Sequence, residues 1–351
     1  MSDATVAAAK AKRRDPLALV VRFQSLIGLV IVAIGGVIFS PRRHGEIIFL
    51  SPDNLANIVR AVSETGIIAI GMTFVIITAG IDLSVGAVLG LSSVVTATMM
   101  ISGGFGLIPT ILAVLIMGIA FGAIQGTIST RFRLEPFIVT LAGLQAARGL
   151  ALVVSGNQYI NISYGDGPGL APPVFAVLGE RLFNNTVPVA TLVFIAFAAI
   201  ATVVLNTTRF GRYVFAVGGN ERAARISGVR VNMVKMFVYM FSGFCAAIVG
   251  LIISSELMAS HPATGESFEL NAIAAAVLGG TSMSGGRGTI GGTIVGAFVI
   301  GILSDGLVMM GVSSFWQMVI KGLVIIVAVV VDQAQRRLQS RVTLMQMAKV
   351  G

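Results

Sequence analysis

The chain has 351 residues, of which 56% are apolar and only 11% charged; soluble domains average roughly 25% charged residues, so a mean hydropathy of +0.94 marks an integral membrane protein. Its net charge of +9 is spread over separate segments without interleaved aromatic platforms, which argues against nucleic-acid binding. One cysteine, Cys245, excludes a disulfide framework or a paired-cysteine metal site within the chain.

A membrane span needs about 20 mostly apolar residues. In chain order such runs lie at 22–39, 65–81, 83–101, 107–130, 136–154, 187–206, 233–255, 289–309 and 315–331, with a shorter one at 268–282. The predicted fold is an all-α polytopic bundle of about ten transmembrane helices, one of them half-length or re-entrant. Residues 1–21 form a basic arm, 22–333 the membrane domain and 334–351 a basic tail. The run at 22–39 is longer than a signal-peptide core and is followed by "SPRRHGE", with no small-x-small cleavage pattern, so it reads as an uncleaved first helix. An even number of spans, with both termini cytoplasmic, gathers most of the 24 lysines and arginines on one side, including Arg131, Arg133, Arg287 and the five arginines of the 207–232 loop. Arg148 and Lys321 fall within spans.

Three stretches depart from plain apolar helix. Residues 52–64, "PDNLANIVRAVSE", suit a short interfacial helix leading into the next span. The loop at 155–186, with Pro168, Pro172 and Pro173, is the longest excursion on the outer side. Segment 279–292 packs seven glycines into 14 residues. Non-helical backbone at membrane depth must be covered by protein or water, so 268–292 reads as a half-length helix followed by a tight glycine turn.

The chemistry of an enzyme is missing. No lysine follows a glycine, so there is no Walker phosphate loop. His44 and His261 lie apart with no H-E-x-x-H pair, and no serine sits in G-x-S-x-G. The candidate pathway or gating residues are Asp82 with Ser84, Arg148, Asn271, Gly279, Gly280 and Lys321. Asp82, in "TAGIDLSVGA", reads as a helix cap. An ionic role for it in a secondary transporter coupled to protons or sodium is the alternative.

The 207–232 loop carries more than topology requires. Asn220 is a good N-cap, Glu221 suits the positive end of a helix dipole and Gly228 a C-terminal stop, which leaves "ERAARIS" as about two turns. A helix that short is unstable alone. Ala223 and Ala224 allow close approach, while Arg222, Arg225 and Ile226 offer a face to a partner groove.

Three blocks, "GIDLSVGAVLGLSS" at 80–93, "TRFGRYVFAVGGNERAARISGV" at 208–229 and "FELNAIAAAVLGGTSMSGGRGTIGGTIVGA" at 268–297, together resemble the ribose-type permeases of bacterial ABC sugar importers, over roughly 50–335. The resemblance implies an inner-membrane, homodimeric transport subunit for a monosaccharide or related polyol. Its partners would be a cytoplasmic ATPase, which alone binds ATP and magnesium, and a periplasmic sugar-binding protein meeting loops 155–186 and 256–268. Residues 220–228 would be the coupling helix, reached through a strand-like approach over 208–219. The coupling set is then Arg209, Gly211, Arg212, Gly219, Asn220, Glu221, Arg222, Ala223, Ala224, Arg225, Ile226, Ser227 and Gly228. The chain itself would bind no cofactor or metal.

Overall fold

The computed structural model describes residues 16–183 and 185–347; most of the predicted basic arm, with Lys10, Lys12, Arg13 and Arg14, and Lys349 of the tail lie outside them. The chain is almost wholly helical: α1 (Pro16–Ile38), α2 (Pro52–Ile77), α3 (Val85–Ala97, continued by a π turn at Thr98–Ser102), α4 (Leu107–Phe132), α5 (Pro136–Ser155), α6 (Val189–Thr207), α7 (Arg209–Gly219), α8 (Glu221–Ile226), α9 (Val231–Leu257), α10 (Phe268–Leu278), α11 (Ile290–Met309) and α12 (Ser314–Met347). Seven of these are long and apolar enough to cross a membrane, and shorter apolar stretches occupy Ser25–Ile38, Phe268–Leu278 and Ser314–Val327. Every apolar run read from the sequence therefore carries a helix, in a polytopic membrane protein. α1 starts at Pro16, within the stretch expected to be an arm, and α12 runs on into the tail as far as Met347.

Burial sorts these helices into layers. The apolar stretch of α2 is 89% buried and that of α4 only 22%, so α2, with α3 and α9, forms the centre, while α4, α5 and α6 lie at the rim. Outward residues of α4 such as Ile108, Leu112 and Ile116 recur every four positions and present one apolar stripe. The α4–α9 seam is made by small residues. A methyl group added to Gly118 would lie 2.5 Å from the Gly243 carbonyl oxygen, one at Gly126 would lie 2.7 Å from Met236 Cα, and one at Gly122 would collide with the Tyr239 carbonyl. Glycines at i, i+4 and i+8 bring the two backbones together, as close helix packing in lipid demands. Cys245 is free and buried on the same helix.

α2 corrects one expectation. Residues 52–64 do not form a separate interfacial helix; they are the first half of one 26-residue helix. No proline or glycine interrupts 53–65, and two of the polar residues that made the segment look interfacial, Asn54 and Ser63, are buried with partners. Asn54 Nδ2 donates to Phe49 O at 3.2 Å and to Asp305 Oδ2 at 3.0 Å, and Ser63 Oγ donates to Thr191 Oγ1 at 3.1 Å. The helix is opened by Ser51 and has Pro52 and Asp53 in its first turn, a strong start signal.

Two chain reversals lie within the bundle. α2 ends at Thr78, Ala79 adopts φ +60°, and residues 80–84 lead into α3. α10 has 11 residues, about 16 Å at 1.5 Å per residue, roughly half the hydrocarbon thickness. It is followed by the glycine turn, with Gly280, Gly285 and Gly286 at φ +88°, +80° and +73°, and α11 restarts with Thr289 Oγ1 accepting from Gly292 N at 3.1 Å.

On the side opposite the 207–230 loop, the long excursion after α5 folds over the end of α9. Ile160–Asn161 pairs antiparallel with Ala259–Ser260, Tyr164 Oη donates to Ser255 O at 2.9 Å, and Ser255 Oγ donates to Phe175 O at 2.7 Å. Tyr159 stacks on His261 at 4.1 Å between ring centroids. The two excursions are thus one surface.

Candidate coupling site

The segment after α6 begins with Thr208, whose Oγ1 accepts from Gly211 N at 3.2 Å and caps α7. The expected strand-like approach over 208–219 is a helix. Phe210, Val214 and Val217 stand four and three residues apart; Val214 and Val217 are buried with Gly211, and Phe210 packs against the core. Arg209, Arg212 and Tyr213 face outward. Helical spacing buries one stripe against the bundle, whereas a strand at this position would have no partner strand for its amides.

α8 follows without a linker. Asn220 is extended at φ −159° and its Oδ1 accepts from Ala223 N at 2.9 Å. At the other end Gly228 has φ +84°, and Val229 N donates back to Ala224 O at 3.0 Å, the left-handed stop expected of this residue. Six residues span about 9 Å. Glu221 ties this helix to α9: Oε1 meets Arg225 Nη2 at 3.0 Å and Oε2 meets Lys235 Nζ at 2.7 Å. Partial burial pushes the Glu221 carboxyl up, but its bonds and charge pairing with Lys235 and then Arg225 outweigh that and set it below the usual carboxylate range. The outward face carries Arg222, Ala223, Ser227 and Ile226, the last 80% exposed. Ala224 points the other way and is 5% exposed.

Behind α8 the backbone meets the bundle core directly. Gly286 N donates to Ile77 O at 2.9 Å. A methyl group at Gly218 would collide with the Ile77 carbonyl and lie 2.6 Å from Gly286 N, and one at Gly286 would lie 2.9 Å from Gly219 Cα. The C-terminus of α2, the end of α7 and the glycine turn between α10 and α11 therefore touch chiefly through main chain. A cleft of about 760 Å³ opens beside them, lined among others by Thr78, Arg131, Arg133, Glu135, Glu221 and Lys235.

Asp82 lies on the same α2–α3 reversal and is 1% exposed. Its Oδ1 accepts from Ser84 N at 3.0 Å and Ser84 Oγ at 2.6 Å, and its Oδ2 accepts from Ser242 Oγ at 2.8 Å. Gln125 Nε2 donates to Ser84 Oγ at 2.9 Å. Asp82 binds the amide just before α3, as a cap would, and also ties α3 to α9 and, through Ser84, to α4. No basic side chain pairs with it among the described residues.

The remaining pathway candidates are not brought together. Arg148, on α5, reaches across to α3 beside Gly90, where Nη1 donates to Pro262 O and, at 3.3 Å, to Thr264 O. It holds the loop that dips into the bundle ahead of α10. Gly279 and Gly280 belong to the glycine turn. Asn271 is half-buried on α10, and Lys321 is half-buried on α12 with no hydrogen-bond or ion-pair partner among the described residues. Sequence reasoning missed Gln125, Tyr239 and Ser242 around Asp82, and the Pro262 and Thr264 carbonyls that engage Arg148. Gln125 was findable as an amide within an apolar run; carbonyls carry no sequence signal. Near the outer surface Arg60 Nε meets Glu256 Oε1 at 3.1 Å.

Residues 54–329 match the family described as the permease component of a branched-chain amino acid transport system. The chain belongs to that permease family. Among its relatives is the ribose import permease protein RbsC of Bacillus subtilis, 44% identical over 88% of this chain and 91% of that protein. RbsC of Escherichia coli K12 is 40% identical over 82% and 88%. The xylose transport system permease protein XylH of Haemophilus influenzae is 33% identical over 90% and 98%. No solved structure matches. The chain is thus a ribose-type permease, a transport subunit and not an enzyme. The family description names amino acids while these relatives are named for pentoses, so membership does not by itself choose the cargo.

Proposed function

We propose that this chain is the membrane subunit of an ATP-driven importer for a monosaccharide such as ribose or a related polyol. It works as a pair of identical copies in a bacterial inner membrane, with ten spans and both termini cytoplasmic, a topology favoured by the clustering of basic residues on one side. α8 is the coupling helix, received by a separate ATPase that carries ATP and magnesium. A periplasmic sugar-binding protein docks on the surface made by the 155–186 and 256–268 excursions. ATP binding moves α8, and the two reversals behind it shift the bundle between outward- and inward-open states.

The observation that carries this reading is the exposed outer face of α8, stapled to α9 by Glu221 and continuous with the end of α7, which meets both internal reversals through backbone. The ATPase contact narrows to Arg222, Ala223, Arg225, Ile226 and Ser227. Asn220, Glu221, Ala224 and Gly228 build and anchor the helix, while Gly211 permits α7 to approach the end of α6 closely and Gly219 has open space beside it. Ala223→Glu is the decisive variant, since the side chain faces outward. Affinity purification with the neighbouring gene products followed by mass spectrometry should recover an ATPase with the unaltered chain and lose it with Ala223→Glu at equal membrane insertion. Recovery with both would remove α8 from the interface.

A further inference from the structure

The membrane-facing surface of the coupling region carries a feature that transport does not require. Between α2, α6, α7 and α9 lies a groove of about 400 Å³, lined by Phe74, Ile200, Val204, Phe210, Phe237 and Phe241. Its rings are ordered: Phe74 and Phe241 meet edge-on at 5.1 Å, and Phe210 and Phe237 at 6.4 Å with planes at 87°. Phe74 is 1% exposed, whereas Phe237 is 42% and Ile200 62% exposed. The groove therefore has a closed floor and a side open to the hydrocarbon.

Charge marks one end of it. Arg209 precedes Phe210 in the chain, and Arg212 sits one turn on, with Nη1 donating to Thr207 O at 3.2 Å. From the other wall, Arg230 immediately precedes α9 and stands seven residues before Phe237, about 10 Å along the axis. Arg225 and Lys235 share Glu221 as an ion-pair partner, but Arg209, Arg212 and Arg230 have no carboxylate partner among the described residues. An apolar cleft that opens to lipid, with Arg209, Arg212 and Arg230 on the segments that frame it at the α8 side, matches an acyl chain joined to a phosphate.

We infer that this groove is a binding site for an anionic phospholipid of the leaflet on the α8 side. One acyl chain lies among the phenylalanines, and the phosphodiester sits between Arg209 and Arg212 on one side and Arg230 on the other. Arg209 and Arg212 thereby become lipid contacts in place of ATPase contacts; Arg209 lies about 16 Å from Asn220 along α7. Because α7 leads straight into α8, an occupied groove would hold the coupling helix in place from the membrane side.

The test uses the full chain reconstituted in vesicles, with the single tryptophan moved into the groove by Phe237→Trp and Trp316→Phe. Lipids carrying brominated acyl chains quench a tryptophan they touch. Brominated phosphatidylglycerol should quench at several-fold lower mole fraction than brominated phosphatidylcholine. Arg209→Gln and Arg230→Gln should each reduce that preference about fivefold, and about 0.5 M salt should weaken it. Ile200→Trp is a second reporter if Phe237→Trp fails to fold. Equal quenching by the two lipids, or a preference untouched by the arginine replacements, would overturn the proposal. Absence of quenching by either lipid would do so too, by showing that protein covers the groove.

Discussion

Glu221 Oε2 lies 2.7 Å from Lys235 Nζ, joining a six-residue helix to the first turns of a 27-residue span. Neither helix end has another ionic link to its neighbour among the described residues, and α8 is too short to hold its own shape. The pair is partly exposed, so its worth is at most about 1 kcal/mol. Glu221→Gln should therefore lower substrate-stimulated ATP hydrolysis a few-fold without abolishing it. A double-mutant cycle with Lys235→Met should show that the two replacements are not additive.

The same carboxyl sets a pH expectation. Its folded value is depressed, so the tether contributes fully above the ordinary glutamate value near 4.3 and is lost only as pH falls through the lower folded value. Stimulated hydrolysis should owe no pH dependence to Glu221 between about pH 5 and 8. Profiles of the unaltered chain and Glu221→Gln should run parallel across that window, and profiles that diverge there would contradict the assignment.

Gly218 and Gly219 are neighbours with opposite tolerances. A methyl group at Gly218 meets the Ile77 carbonyl, while one at Gly219 meets nothing within 4 Å. Gly218→Ala should cost about 1–3 kcal/mol as overpacking, seen as a lowered melting temperature in detergent and weakened ATPase stimulation. Gly219→Ala should be close to neutral in both assays.

Asp82 can be tested as a cap against an ionic role. Asp82→Asn keeps an oxygen for Ser84 and places an amide opposite Ser242 Oγ, which can accept. Asp82→Ala leaves three buried donors without their acceptor, at about 1–3 kcal/mol for each unsatisfied group. Melting temperatures should fall in the order unaltered, Asn, Ala, with transport retained in Asn. Complete loss of transport by a well-folded Asp82→Asn would assign it an ionic function.

Arg148 has a geometric prediction. With Arg148→Met the Pro262 and Thr264 carbonyls lose their donor. A cysteine at Thr264, in a Cys245→Ser background, should then react several-fold faster with a soluble maleimide than in the Arg148 chain.

The sequence disclosed what local chemistry controls. Positions of the apolar helices follow from hydropathy, and α8 could be bounded to within one residue at its end because Asn220 and Gly228 act within one turn of their own backbone. α7 was obscured by its composition: Tyr213, Phe215 and Val217 alternate with Arg212, Val214 and Ala216 in a way that equally suits a strand, and only tertiary burial of Phe210, Val214 and Val217 decides. The length of α2 was hidden for a similar reason, since buried Asn54 and Ser63 look like surface residues until Asp305 and Thr191 are seen beside them. The Gly218–Ile77 approach had no signature at all, because neither partner contributes a side chain and they are far apart in the chain.

That approach has an evolutionary corollary. Amides and carbonyls are common to every residue, so a junction built from them imposes almost no demand on the side chains lining the route for cargo. Side chains along that route are free to diversify toward a new solute while the backbone junction behind α8 stays unchanged. A family whose members are named for different cargoes would be expected to keep its drive train in glycine and backbone.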